Sequence, residues 1–115
     1  MVLEELLKGE LKMNNYVYMV RVAYSTDESD GIVTHLYKNF NDAVTKYYQI
    51  IHEECEPENS WVGNEVFDEY GEVNEGYTVD YNEYEEREMD LYWTVVDDYN
   101  YNRHTFIDLL KLEVK

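Results

Sequence analysis

The sequence predicts an α+β fold: one domain, 1–115, built as an antiparallel sheet of about 4–6 strands with one main helix, about 40–55, packed on it and a short N-terminal helix. Three observations carry that prediction. Short runs rich in Tyr and β-branched residues alternate with a period of two. One longer run has a helical period. Polar, Gly- and Asn-containing breakers separate the runs. A chain of 115 residues is the size of one domain with one core. Acidic chains poor in aromatics read as disordered, but this one is 44% hydrophobic and holds 13 Tyr and two Trp, enough to build a core.

Taken in order, residues 2–12 (VLEELLKGELK) place Val2, Leu3, Leu6, Leu7 and Leu11 near helical spacing, which Gly9 weakens. A short helix or a loose arm is expected there. Residues 15–24 (NYVYMVRVAY) put Tyr16, Tyr18, Val20, Val22 and Tyr24 on one face of a strand and Val17, Met19, Arg21 and Ala23 on the other. Two largely apolar faces predict a central strand. The polar turn STDESDG follows, with Gly31 expected to supply permissive dihedrals, and residues 32–38 (IVTHLYK) complete a hairpin.

Asn39 is placed to cap a helix starting at Phe40, with Asp42 as a weak capping-box partner. Phe40, Ala43, Val44, Tyr47, Ile50, Ile51 and Cys55 then share one helical face, and Pro57 is a stop signal. Beyond it, Trp61–Phe67 (WVGNEVF) and Tyr77–Tyr81 (YTVDY) are expected to be strands around the loop DEYGEVNEG. Residues 82–90 fit either helix or loop. LYWTVVDD at 91–98 predicts a strand, and 105–114 pairs with it as a C-terminal hairpin.

Composition excludes several functions. A single Cys cannot form an intramolecular disulfide framework or a Cys-rich zinc site. No apolar run approaches the ~18 residues of a transmembrane helix. The first residues lack a basic region and an uninterrupted apolar stretch, so no signal peptide and a cytoplasmic location are expected, in a bacterial host cell if the chain is phage-encoded. There is no GxSxG, HExxH or phosphate-binding glycine loop, and no enzyme activity or cofactor is expected. His52 and Cys55 are i, i+3 on the main helix, but nothing in the sequence brings His35 or His104 to them, so no metal site is expected. The glutamates flanking Cys55 should raise its thiol pKa, against a reactive nucleophile. The loop from Asp68 has Tyr70 at its third position and Val73 at its sixth, so it fails the EF-hand pattern.

The charge is the strongest signal. The formal net charge is −17, which repels nucleic acid and anionic membrane alike. Glu53–Asp98 carries 17 carboxylates against Arg87 alone, while the other 69 residues hold nine acids and eight bases. Within the segment the carboxylates alternate with Tyr, as in Asp68-Glu69-Tyr70 and Asp80-Tyr81-Asn82-Glu83-Tyr84-Glu85-Glu86. Tyr is enriched at interfaces, and a carboxylate beside Tyr suits Arg, which pairs with one and stacks on the other. Side chains on one face of a strand recur about every 6.6 Å. DNA carries one charge per roughly 1.7 Å of axis, so two or three acidic rows on neighbouring elements approximate such a field. The candidate partner-binding residues are Asp68, Glu69, Tyr70, Glu72, Glu75, Tyr77, Asp80, Tyr81, Glu83, Tyr84, Glu85, Glu86, Glu88 and Asp90. The expected partner is a basic, nucleic-acid-binding protein, with no direct nucleic acid and no membrane contact. Two alternatives stand beside it: a module that sequesters a nucleotide-like signal with an Arg21, Arg87 and Arg103 cluster, and an accessory protein whose acidic face is merely solvated.

In its acidic run Glu53–Asp98 and its compact α+β layout, the chain resembles the small, strongly acidic, Tyr- and Asn-bearing proteins encoded by phages and mobile elements, in particular anti-CRISPR and anti-restriction inhibitors that act as DNA mimics. The resemblance is one of class, without an aligned motif. It implies a stoichiometric, non-catalytic inhibitor of a nucleic-acid-binding bacterial protein. Lys8, Lys12, Lys111 and Lys115 depart from a uniformly acidic mimic and imply that one face alone binds.

Overall fold

The computed structural model describes residues 16–26, 29–83, 90–100 and 102–113. The expected N-terminal helix at 2–12 lies outside them, as does most of the stretch 82–90. The described elements run β1 (Tyr16–Ser25), β2 (Asp30–Tyr37), α1 (Phe40–Cys55), a π-helical turn (Val62–Val66), β3 (Tyr77–Tyr81), β4 (Leu91–Asp97) and β5 (His104–Glu113). The five described strands form one antiparallel sheet in the order β2-β1-β5-β4-β3. The α+β class, the single main helix and its limits are as the sequence predicts.

The period-two pattern of β1 sorts its side chains as expected. Tyr18 and Val20 are buried on the face they share with Ile107 and Leu109 of β5 and with Leu91, Trp93 and Val95 of β4, Val20 pairing directly with Leu109. Against this face α1 lays Phe40, Ala43, Tyr47 and Ile50, with the Tyr18 and Phe40 rings edge-on at 5.3 Å. Asn39 caps α1, its side chain accepting the backbone N–H groups of Asn41 at 2.7 Å and Asp42 at 3.3 Å. The helix starts beside the lower end of the sheet, where Tyr37 pairs with Tyr18, and finishes at the upper end, where Ser25, Asp30, His104, Asp97 and Tyr77 lie. Among the described residues, no helix covers the other face, which carries Met19, Arg21, Ala23, Phe106, Asp108 and Leu110. Arg21 Nη2 donates to Asp108 Oδ2 at 2.8 Å in its middle.

Two expectations are corrected. Trp61–Phe67 is not a strand: Val62–Val66 forms the π-helical turn, and Phe67 makes a single bridge to Val73. Val62 and Val66 sit four apart, and both are fully buried, which is helical spacing inside a run of strand-forming residues. Ser60 Oγ accepts the Val62 N–H and donates to the Glu54 carbonyl, so the turn is stitched to the end of α1. Gly63 is the close approach: a Cβ there would lie 2.0 Å from the Glu56 carbonyl oxygen. Gly31 supplies no turn. It lies within β2, where it leaves room for the Tyr24 ring, while the turn is closed by Thr26 and Ser29.

Candidate partner-binding surface

The described part of the acidic segment begins at the upper end of the sheet, where α1 closes, runs down β3 and returns to the upper end at the close of β4. Glu53, Glu56 and Glu58 close α1 and the turn after it, and Glu65, Asp68, Glu69, Glu72 and Glu75 follow on the π-helical turn and the loop to β3. Asp97 and Asp98 end β4 beside them: the Asp98 N–H donates to the Gly76 carbonyl at 2.8 Å. Asp80 and Glu83 continue down the β3 edge. All but Asp97 are exposed, and these described carboxylates form an acidic corner at the upper end of the sheet that extends along the β3 edge.

One cation braces that corner. Arg103, on the turn before β5, donates from Nη1 to Asp97 Oδ2 at 3.3 Å and from Nη2 to Glu65 Oε2. Its guanidinium lies 4.8 Å from the centroid of Trp61, which in turn packs on Tyr77 at 6.2 Å. Burial alone lowers the Arg103 pKa, but the hydrogen bond and charge of Glu65, with Asp97, outweigh it and hold the group above its ordinary value. Burial also pushes the Tyr77 phenol up, and Glu65 and Asp97 add to it. Asp97, 7% exposed, is satisfied further by the N–H groups of Tyr99 and Asn100 on its Oδ1. The sequence suggested a phosphate-binding role for Arg21 and Arg103. The structure ties Arg21 to Asp108 on the open sheet face and Arg103 to two carboxylates at the upper end, so the two do not converge; Arg87 lies outside the described residues.

The candidate residues divide by what their side chains already hold. Asp68 shapes the loop: its Oδ1 accepts the N–H groups of Tyr70 at 2.8 Å and Glu72 at 2.9 Å, with Gly71 at φ 80° completing the turn. That carboxylate is occupied by backbone rather than by a cation. Asp90 likewise accepts the Lys111 N–H at 2.9 Å, and its carbonyl accepts from Asn82 Nδ2 at 3.0 Å. Tyr77 is half-buried under Trp61. The turn that Asp68 builds projects Glu69, Tyr70 and Glu72, with Tyr70 82% exposed. Glu69, Glu72, Glu75, Asp80 and Glu83 make no ion pair among the described residues. Asp80 points to the open face of the sheet and Tyr81 to the helix face, so β3 presents its acid and its aromatic on opposite sides. Tyr84, Glu85, Glu86 and Glu88 lie outside the described residues.

A feature the sequence did not announce borders the corner. A cavity of about 390 Å³ opens between α1 and the end of β3, lined by Tyr47, Tyr48, Ile51, Tyr81, Asn82, Glu83 and Trp93. Tyr48 is half-exposed beside the buried Tyr47, and an aromatic residue at the solvent margin of the helix was the available signal. The Asn82 amide is committed, its Oδ1 accepting the Tyr92 N–H at 2.8 Å. That leaves aromatic walls and the Glu83 carboxylate, a lining that accommodates a flat cation such as a guanidinium.

The other titratable side chains are quieter. His52 Nε2 lies 3.1 Å from Glu56 Oε1 on the helix surface. Cys55 is half-buried, and burial first, then Glu54, pushes its thiol up. No group of three metal-ligating side chains converges among the described residues, and no described helix is long and apolar enough to cross a membrane. Comparison of the chain with protein families, with curated proteins and with solved structures finds no match.

Proposed function

We propose that the protein is a non-catalytic inhibitor that docks its acidic corner on a basic, nucleic-acid-binding surface of a bacterial defence protein, occupying the site of the phosphate backbone in the manner of an anti-CRISPR or anti-restriction DNA mimic. The observation that carries this reading is the corner itself. Carboxylates scattered by solvation alone have no reason to collect at one end of a sheet and along one of its edges, yet Glu69, Glu72, Glu75, Asp80 and Glu83 stand there without a cation among the described residues. Arg103 spends its charge inside the corner on Asp97 and Glu65, and so gives the acidic loop a fixed shape rather than a neutral surface. Tyr70 and Tyr81 add rigid aromatic area for arginine stacking, and the cavity beside Glu83 fits an inserted arginine side chain. Electrostatic steering suits an inhibitor that must reach its target before DNA does, with association at up to about 10⁸–10⁹ M⁻¹s⁻¹ at low salt.

A phosphate-bearing small molecule fits this surface less well. The cavity offers a carboxylate, and the two described arginines, Arg21 and Arg103, do not line it and are already paired with carboxylates.

The test is capture on the immobilised protein from lysates containing CRISPR and restriction nucleases, with elution by salt. The reading expects one basic nucleic-acid-binding protein that duplex DNA competes off. It also expects Glu69→Lys with Glu72→Lys to abolish capture. A partner that binds equally well to that charge-reversed variant, or that holds DNA and this protein together, contradicts the reading.

A further inference from the structure

The two edges of the sheet have opposite characters, and the β2 edge is the anomaly. Exposed edge strands offer unpaired backbone N–H and C=O groups, and proteins guard them with short length, charges, proline or a bulge. β2 runs eight residues, Asp30–Tyr37, with no proline and no charged residue between Gly31 and Tyr37. Its side chains toward the open face include Ile32, 69% exposed, and Leu36, 67% exposed. In a chain of net charge −17, an unguarded apolar edge is the place where two copies can meet without opposing their carboxylates.

The residues of β2 are also complementary to themselves. On the open face the order is Asp30, Ile32, Thr34, Leu36, followed at the strand's end by Lys38. Turned about Thr34 and laid antiparallel, this row sets Asp30 against Lys38, Ile32 against Leu36 and Thr34 against Thr34 of the second copy. Opposite charges, apolar residues and threonines are the cross-strand pairs that stabilise antiparallel sheets. The helix-side row sets Gly31 against Tyr37 and Val33 against His35, again without a like-charge pair. The same operation keeps the two acidic corners apart, because β3 is the edge farthest from β2 in the strand order.

We propose that β2 pairs antiparallel with β2 of a second copy about Thr34, joining two five-stranded sheets into one continuous sheet and leaving an acidic corner at each end. The interface is isologous, as two-fold symmetry requires, so each complementary pair occurs twice.

Sedimentation velocity on the full chain at physiological salt, over a concentration series, tests this. The expected species is a dimer of twice 13.9 kDa. Ile32→Glu sets a carboxylate against Leu36 twice and should weaken the dimer by about tenfold or more. Ile32→Glu combined with Leu36→Lys recreates opposite-charge pairs in the same register and should restore it. Asp30→Lys should weaken it, and Asp30→Lys with Lys38→Asp should recover it. All four positions are exposed, so the variants keep the fold, which circular dichroism checks. A wild type that remains monomeric into the hundred-micromolar range overturns the proposal. So does a dimer indifferent to Ile32→Glu, or one that neither double variant restores. A monomer destabilised by Ile32→Glu would show β2 to be covered by another part of its own chain, and also overturns it.

Discussion

The sheet has two edges, and they share little but their hydrogen-bonding geometry. β3 is five residues long, carries Asp80, lies between Glu75 and Glu83, and is approached by a loop whose turn Asp68 and Gly71 shape. β2 is eight residues long, uncharged through its middle, and exposes Ile32 and Leu36. The first edge repels other copies of the chain and attracts cations. The second has no charged side chain between Gly31 and Tyr37. Net charge is often treated as a property of a whole protein, but here −17 is concentrated enough to give the two edges of one sheet opposite characters. The acidic corner also depends on internal support that β2 does not need, since its loops are held by Gly63, Arg103 and Asp97.

That contrast can be broken from the acidic side first. Gly63→Ala should have the largest effect, because its Cβ would meet the Glu56 backbone oxygen at 2.0 Å and force the π-helical turn off α1. A loss of about 3 kcal/mol or more is expected in urea denaturation. Arg103→Ala should cost about 2–3 kcal/mol, since it strands the nearly buried Asp97 and removes the cation over Trp61. Intrinsic Trp fluorescence should report the change alongside the shifted midpoint.

Tyr47→Phe works in the other direction. The Tyr47 hydroxyl is buried with no hydrogen-bond partner among the described residues, so its removal should stabilise the fold by about 1 kcal/mol. Burial, with lesser help from Tyr48, pushes that phenol above its ordinary 10.0. The folded state therefore keeps the proton longer than the unfolded chain does, and the resulting stability is present below pH 10.0 and is lost as pH rises beyond it. The alkaline loss should shrink in Tyr47→Phe, which a pH series of thermal melts would reveal. The smallest effect belongs to the other edge: Ile32→Glu should change the unfolding free energy of the monomer by about 0.5 kcal/mol or less, measured at high dilution. A large loss there would mean that β2 is braced as the acidic corner is, and the contrast would fail.

Much of this was legible in the sequence. The alternation in 15–24 gives β1 its two faces, and Asn39, the helical period and Pro57 bracket α1 because capping, amphipathicity and stop signals all act locally. The run Trp61–Phe67 misleads because its residues are strand formers, while a contact between Gly63 and the Glu56 carbonyl, distant in character from any local propensity, decides its shape. Gly31 misleads similarly, since its want of a side chain serves Tyr24 across the strand pair rather than a turn. The acidic segment was visible as composition. Which of its members are free was not, because Asp68 and Asp90 spend their carboxylates on backbone N–H groups set by tertiary placement. Arg103 was read only as one member of an Arg21, Arg87 and Arg103 cluster, because its role as the corner's brace needs Glu65, Asp97 and Trp61 to meet, and no spacing in the chain encodes that.

On the proposed reading the acidic corner takes the place of DNA on a basic partner. Fluorescence anisotropy of labelled duplex DNA held by the captured partner, titrated with this protein, tests it most directly. The DNA should be released in proportion to added protein, and Glu69→Gln with Glu72→Gln and Glu75→Gln should release far less at equal concentration. DNA that stays bound while the protein binds alongside it would contradict the claim.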